Sequence, residues 1–483
     1  MTTKKTKIVA TVGPASESSE MLLSLAEAGV NVFRLNFSHG THVDHLERIQ
    51  KIRSLNQTHG LGIGILQDLQ GPKIRVGMVE DGIEIKAGGR LVFTNQTILG
   101  NADRVSTPYD GMYNDVAIGQ RILLDDGKLE VKVTGIEGHD VVTEVVYGGP
   151  LKSKKGVNLP STAVSMPSVT KKDYEDLDFG LEHDVEWVAL SFVRYASDIQ
   201  EVKDYIASKG KTSRVVAKIE KPEAIKNIDE IIAAADAIMV ARGDLGVELP
   251  AEEVPMIQKM IVEKCNRASK PVIVATQMLE SMIDAPRPTR AEINDIANSV
   301  LDGADAVMLS AETASGKYPI EAVNSMAGTI IQVELTDGDK KPDDSEIYYK
   351  HHAGVNAHPG PNVILDNVVM SACRLARDTN AKAIIGVTRT GYTGFRLSHH
   401  RPKAALYIFT PNITLLNTLS LYWGVEAVYY DHEVEGTDAF IEDIKQELIK
   451  KGKLEMGDIF VNTLSMPINQ NKRTNAVKLS VVE

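Results

Sequence analysis

The chain has only two cysteines in 483 residues, Cys265 and Cys373, far apart and without a C-x-x-C spacing. That excludes a disulfide framework and a zinc knuckle, fits a reducing compartment, and makes the cytoplasm the expected location. Positive charge is also short: with a net charge of −12, the chain lacks the basic surface that a nucleic acid or an anionic membrane requires. Any anionic ligand must therefore be held by a local basic cluster. No run of roughly 18 apolar residues occurs, so no membrane span is expected. The N-terminal "MTTKKTKIVATVGPAS" has too short an apolar stretch for a signal sequence and reads as a strand. Low-complexity segments and short-period repeats are lacking as well. The remainder is ordinary globular composition, 43% hydrophobic and 24% charged, at a length that predicts two or three domains.

Short β-branched runs that stop at polar residues occur eight times: "KIVATVGP", "VNVFRLNFS", "GIGILQDLQGP", "EWVALSF", "RVVAKIEKPE", "AIMVARGDLG", "PVIVATQML" and "AVMLSAETA". Most are separated by a stretch of helical period, such as "SEMLLSLAEAG", "VDHLERIQKIRSL" or "RAEINDIANSVLDG", and several of these follow a residue able to cap them. Apolar runs without polar alternation suit strands buried on both faces. Eight strand-then-helix units predict an α/β fold, a (β/α)8 TIM barrel, whose chemistry belongs at the C-terminal ends of the strands. The residues closing the runs are Thr11, then Arg34 with Asn36 and Ser38, Asp68, Ser191, Lys218 with Glu220, Arg242 with Asp244, Thr276, and Ser310 with Glu312. Any one of them also reads as plain loop chemistry. K-x-E and R-x-D on adjacent strands are different, because their charges converge on one mouth.

Between the third and fourth runs lie about one hundred residues where a barrel needs a loop and a helix. Residues 72–168 are Gly-rich with alternating Val, Ile and Thr, and are expected to form a small inserted β-barrel able to act as a lid over the catalytic face. The barrel is then expected over 1–71 and 169–341. The polar stretch "ELTDGDKKPDDSEIYYKHHAGVNAHPGPN" reads as a linker, and 342–483 alternates helix and strand again as a C-terminal α/β domain.

Glu220 and Asp244 offer two carboxylates in one mouth, which suits Mg²⁺, a cation that takes one or two protein carboxylates and leaves positions for water and substrate oxygens. Lys218 beside them would stabilise negative charge developing on oxygen; the alternative is an internal ion pair. Arg34, Asn36 and Ser38 alternate along one strand end, where the arginine can grip a phosphoryl group. His39 alone is a turn residue until it finds company. Arg242-Gly243-Asp244 matches a cell-adhesion tripeptide, a motif of almost no specificity. Thr276 could relay a proton or cap a helix. The pairs in "HHAG" and "SHHRP" lack metal-ligand spacing. In "AIIGVTRTGYTGFRLSHHRP" a Thr/Gly loop precedes a helix, an anion site to which Thr388, Thr390 and Thr393 could add hydroxyls, though a plain turn also fits.

Taken together, "TKIVATVGPAS", "VNVFRLNFSHGTH", "DLQGPKIR", "GVNLP", "AKIEKPEAI", "IMVARGDLGVELP", "ATQMLESM", "PTRAE" and "DGADAVMLSAETA" resemble the landmarks of the bacterial-type pyruvate kinase family, in that family's order. The resemblance covers the barrel and insert, and more loosely the C-terminal domain. It implies transfer of the phosphoryl group of phosphoenolpyruvate to ADP, giving pyruvate and ATP in glycolysis. Glu220 and Asp244 would hold Mg²⁺, for which Mn²⁺ substitutes, and a second Mg²⁺ would arrive with the nucleotide. Lys218 and Arg34 would meet the phosphoryl group, and the backbone at Gly243 and Asp244 the substrate carboxylate. Thr276 would deliver the proton, with Ser310 and Glu312 behind it. Thr11, Pro14, Asn36, His39, Arg75 and Lys155 would contact the nucleotide. The C-terminal domain would be regulatory, with a phosphorylated sugar or nucleotide effector at Thr388, Arg389, Thr390, Gly391 and Thr393, in a homotetramer with no nucleic-acid or membrane partner.

One departure stands out. Many members hold K⁺ at positions that here are Asn36, Ser38, Asp68 and Leu69, and carry a Thr at the last of these and a Glu where this chain has Lys73. Leu69 has no side-chain oxygen to give, so the ammonium of Lys73 is expected to replace the ion and K⁺ not to be required. Two rivals remain at this stage. A different Mg²⁺-enolate barrel such as an aldolase leaves Arg75, Lys155 and the lid unused, and an adhesive protein leaves the whole constellation unused.

Overall fold

A computed structural model describes residues 4–160, 162, 164–337, 363–432, 434, 436–466 and 473–483. Alternation within the apolar runs decides the barrel. Ile8 and Ala10 pack among the surrounding helices while Val9 between them joins a second cluster inside the strands. The same division holds for Phe33 and Leu35 against Val32, and for Val215 and Ala217 against Val216. Strands buried on both faces in this way pair in parallel. All eight expected strands form: β1 (Lys7–Thr11), β2 (Val32–Asn36), β3 (Gly64–Asp68), β4 (Trp187–Leu190), β5 (Arg214–Ile219), β6 (Ala237–Ala241), β7 (Val272–Ala275) and β8 (Ala306–Leu309). They close into one barrel in chain order, with β8 returning to β1.

Capping fixes where several surrounding helices begin. Thr41, Thr170 and Thr289 each form a reciprocal capping box, on helices His42–His59, Lys171–Glu182 and Arg290–Asp302.

The segment between β3 and β4 carries its own core, including Phe93, Val105, Ile122, Val131 and Leu159. Its strands form a six-stranded sheet and a two-stranded ribbon. The ladder runs from Val157–Asn158 at one edge to Arg104–Ser106 at the other and is open, where the sequence suggested a small barrel. Gly71 turns the chain out of the barrel at φ +67°, with its N–H donated to Asp173 at 2.9 Å. On the return path, Arg194 holds the carbonyls of Val164 and Met166.

The C-terminal region forms a five-stranded sheet from β9 (Ala383–Val387), β10 (Ala405–Thr410), β11 (Val425–Tyr429), β12 (Ile459–Leu464) and an antiparallel edge strand β13 (Ala476–Val481). It closes the far end of the barrel: Trp187 meets Tyr422 with ring centroids 6.0 Å apart, and Arg401 pairs with Asp305 at 2.9 Å. From residue 338 to its end the expected linker, with its "HHAG" pair and the 341/342 boundary, lies outside the described residues.

Candidate active site

Strand period places the site. Val9, Val32, Leu66, Ala189 and Val216 point into the barrel, so the residues two positions on, Thr11, Arg34, Asp68, Ser191 and Lys218, continue the inward rows and emerge at the C-terminal mouth. A barrel places its chemistry there.

A chain of charges crosses this mouth. Arg34 Nη1 donates to Thr11 Oγ1 at 2.9 Å and its Nε to Asp68 Oδ2 at 2.6 Å. Asp68 Oδ1 lies 3.2 Å from Lys218 Nζ, which also meets Glu220 Oε1 at 2.9 Å and donates to Ser191 Oγ at 2.7 Å. Burial alone would raise the pKa of Asp68, but Lys218 and Arg34 outweigh it and hold the carboxyl below the ordinary value. Burial would lower that of Lys218, yet Asp68 and Glu220 together raise it, so the ammonium stays charged. The internal ion pair weighed as the alternative for Lys218 is therefore formed.

Glu220 and Asp244 fit a divalent cation. Burial raises the pKa of Glu220 and the like charge of Asp244 raises it further against Lys218, a repulsion that a cation would relieve. Glu220 Oε2 is oriented by the N–H of Phe192 at 2.7 Å, and Phe192 adopts φ +57°. Among the described residues no group of three His, Cys, Asp or Glu side chains could hold a metal; two carboxylates are the one or two that Mg²⁺ takes from a protein.

Thr276 stands apart from the cap reading. It adopts φ +71° and Gln277 φ +55°, a left-handed pair that costs about 1–2 kcal/mol per non-glycine residue. Its hydroxyl accepts the Gly243 N–H at 2.7 Å and donates to Ala275 O at 2.6 Å. A Cβ at Gly243 would lie 3.3 Å from Thr276 Oγ1, a tight approach that leaves the hydroxyl little room to shift. Behind the turn, Glu312 accepts from the N–H groups of Leu279 at 3.1 Å and Ser310 at 2.7 Å, and burial raises its pKa.

The nucleotide candidates divide between the barrel and residues 72–168. Thr11 is buried against Arg34, while Pro14 and His39 are exposed. Asn36 pairs in register with Asp68 and accepts from the Ser38 N–H at 3.1 Å. His45 stacks on Phe37 at 4.0 Å and holds the His39 carbonyl at 3.0 Å. Burial, then Arg75, Arg34 and Lys73, lower the pKa of His39, so the insert's basic groups lie near it. Arg75 pairs with Gly156 in an isolated bridge and donates to Lys154 O at 3.1 Å, and Lys155 meets Asp125 at 2.8 Å. Lys73 lines a cavity between insert and barrel with Phe192, Lys221 and Glu223, and its ammonium has no ion-pair partner among the described residues. Among the described residues no hydrogen bond or ion pair joins it to Asn36, Ser38 or Asp68.

In the C-terminal region, Gly391 (φ +86°) donates its N–H to Thr388 Oγ1 at 2.9 Å at the start of helix Tyr392–His399. Thr393 is buried against Thr474 at 2.8 Å, whereas Arg389 and Thr390 are exposed.

Sequence reasoning placed Asp68 and Arg242 at strand ends without reading what they hold, and it missed Glu248. Asp68 ties Arg34 to Lys218 rather than serving a cation site alone, and its position as the last residue of an inward row was the available signal. Arg242 holds the Thr276 turn, and Glu248 is buried with Oε1 bonded to Lys221 at 2.7 Å and to the insert's Asn158 at 3.1 Å. Neither has a local sequence signature.

A closed (β/α)8 barrel that brings cations and carboxylates together beneath an inserted domain defines an enzyme for an anionic, oxygen-rich substrate. The family profile for the barrel domain of pyruvate kinase matches residues 3–323, and that for the pyruvate kinase alpha/beta domain matches residues 366–480. A pyruvate kinase of Geobacillus stearothermophilus is 42% identical over 483 residues, covering 99% of this chain and 80% of that one. One of Staphylococcus aureus (strain MRSA252) is 40% identical over 482 residues, with the same coverage of 99% and 80%. A crystal structure of a pyruvate kinase from Cryptosporidium parvum superposes with a TM-score of 0.90 at 36% identity, covering 100% of this chain and 97% of that one. The chain belongs to the pyruvate kinase family and is a phosphotransferase.

Proposed function

We propose that the chain transfers the phosphoryl group of phosphoenolpyruvate to ADP, with Mg²⁺ held by Glu220 and Asp244 and without a need for K⁺. The observation that carries this reading is the Arg34–Asp68–Lys218–Glu220 chain across the barrel mouth. Mg²⁺ at the carboxylate pair would draw substrate oxygens together and neutralise charge developing on them. Arg34 grips the phosphoryl oxygens, and Lys218 faces the oxygen that bridges phosphorus and carbon. As the bridging P–O bond breaks, its electron pair stays on the enolate oxygen beside Lys218, and a terminal oxygen of ADP forms the new bond to phosphorus. Loose transfer of this kind needs positioning and charge neutralisation more than a nucleophile. The carbonyl then re-forms while the C2–C3 π pair takes a proton delivered through Thr276.

ADP would lie between Thr11, Pro14, Asn36 and His39 on the barrel and Arg75 and Lys155 on residues 72–168, which act as a lid excluding water. For K⁺ independence the support is Leu69, buried and without a side-chain oxygen, and the unpaired Lys73 ammonium near His39. A phosphorylated effector at Thr388, Arg389, Thr390, Gly391 and Thr393, a homotetramer and a cytoplasmic location belong to the same reading. No described helix is long and apolar enough to cross a membrane. The test is ATP formation from phosphoenolpyruvate and ADP with Mg²⁺. A competent wild-type chain and a K218M chain reduced at least a thousandfold are expected, and an inactive wild type would contradict the assignment.

A further inference from the structure

A strained turn in the barrel mouth is held by a single side chain. Thr276 and Gln277 both adopt left-handed backbone, and Thr276 is β-branched, a conformation that persists only when its surroundings over-determine it. The brace is Arg242. Its Nη2 donates to Thr276 O at 2.7 Å and its Nε to Ala275 O at 3.3 Å, so one edge of the guanidinium grips two successive carbonyls. Its Nη1 faces the other way, to Asp295 Oδ1 at 2.7 Å and Gln258 Oε1 at 3.3 Å. Gln258 is anchored in turn on Asp302 at 3.2 Å. Asp295 and Asp302 lie on helix Arg290–Asp302 and Gln258 on helix Val254–Ala268, so two outer helices set the position of a turn in the mouth.

We infer that Arg242 is a positioning residue for proton delivery by Thr276. The inference rests on the proposed role of Thr276 in the phosphoenolpyruvate reaction. In the structure the Thr276 hydroxyl spends its proton on Ala275 O at 2.6 Å. To serve the substrate carbon the hydroxyl must turn away, which would strip that buried carbonyl of a donor. Arg242 Nε is the second donor to the same carbonyl, so Ala275 O stays bonded while the hydroxyl swings into the mouth. The Gly243 N–H, on the residue following Arg242, keeps the Thr276 oxygen in place throughout. Lysine cannot substitute, because a point charge has no fork to span two carbonyls and an aspartate. Asp295 keeps the fork from rotating.

Two rates on the full-length R242K and D295N chains separate positioning from general damage. The first is ATP formation from phosphoenolpyruvate and ADP, which counts phosphoryl transfer. The second is exchange of pyruvate methyl protons for solvent deuterium, followed by proton NMR with Mg²⁺ and ATP present, which counts proton transfer at carbon. Exchange is expected to fall at least tenfold in R242K and at least threefold in D295N. ATP formation should fall by a smaller factor in each, and the KM for phosphoenolpyruvate should stay within twofold. Equal losses in both rates, or unchanged exchange, would overturn the inference. If R242K fails to fold, D295N carries the test, since Asp295 is a third exposed. A wild-type chain that exchanges methyl protons but makes no ATP would refute the proposed reaction while the clamp is still read by exchange alone.

Discussion

Glu220 is the residue through which pH should reach the metal. Its carboxyl is raised by burial and by Asp244, so protons compete with Mg²⁺ at a higher pH than at an ordinary glutamate. The Mg²⁺ concentration giving half-maximal rate should therefore climb as pH falls from 8 towards 5, and E220D, with the carboxylate withdrawn, should need at least tenfold more Mg²⁺ at pH 7.5. A requirement that stays flat over that range would count against Glu220 as a ligand. Thr11, Arg34, Asp68 and Lys218 were legible in the sequence because a period of two fixes which strand residues share a face. Arg242 was not, since its partners Thr276 and Asp295 lie 34 and 53 positions away, and the adhesion tripeptide gave no hint of them. Lys73 was read as a replacement for K⁺; the structure places it on the cavity between insert and barrel, a position that depends on how 72–168 sit over the mouth.

At the scale of elements, the exit from β3 into the insert depends on Gly71. Its φ of +67° suits glycine, and a Cβ there would lie 2.9 Å from both Ser191 Cβ and Phe192 Cδ2. G71A should therefore lose at least about 1–2 kcal/mol from the backbone alone, with more from the clash. Denaturant unfolding measures the loss, and an unchanged midpoint would show that the exit relaxes freely. The activity of G71A should fall too, because Ser191 bonds Lys218 and the Phe192 N–H orients Glu220. The eight barrel strands were legible as apolar runs with polar ends. The insert's alternation announced strands, but its open ladder was not legible, because strand order depends on pairings such as Arg90–Thr94 with Asp140–Tyr147, which no local pattern encodes.

Across the whole molecule, two lysines of the barrel floor, Lys5 and Lys7, reach the C-terminal region, with Lys4 beside them. Lys4 donates to Asn31 Oδ1 at 2.5 Å, Lys5 to the carbonyls of Pro402 and Lys403 at 2.7 Å each, and Lys7 to Val425 O at 2.7 Å. Burial lowers all three, Lys4 to about 7 and Lys5 and Lys7 to about 8. An unfolded lysine keeps its proton to about 10.5, so between pH 7 and that value the unfolded chain binds more protons and these groups make stability rise with pH. The change in melting temperature from pH 7 to pH 9 should therefore be more positive in the wild type than in K7M. Identical changes would mean that Lys7 is charged in the folded chain. Length and composition announced several domains, but this docking was not legible, because Trp187 and Tyr422 meet from opposite halves of the sequence.

The central claim is that this barrel moves a phosphoryl group from phosphoenolpyruvate to ADP with a built-in cation in place of K⁺. Initial rates of pyruvate formation with Mg²⁺, in buffers containing either K⁺ or only a bulky organic cation, test it most directly. Equal, substantial rates are predicted. Activity only with K⁺ would contradict the role given to Lys73, and no activity in either buffer would contradict the reaction itself.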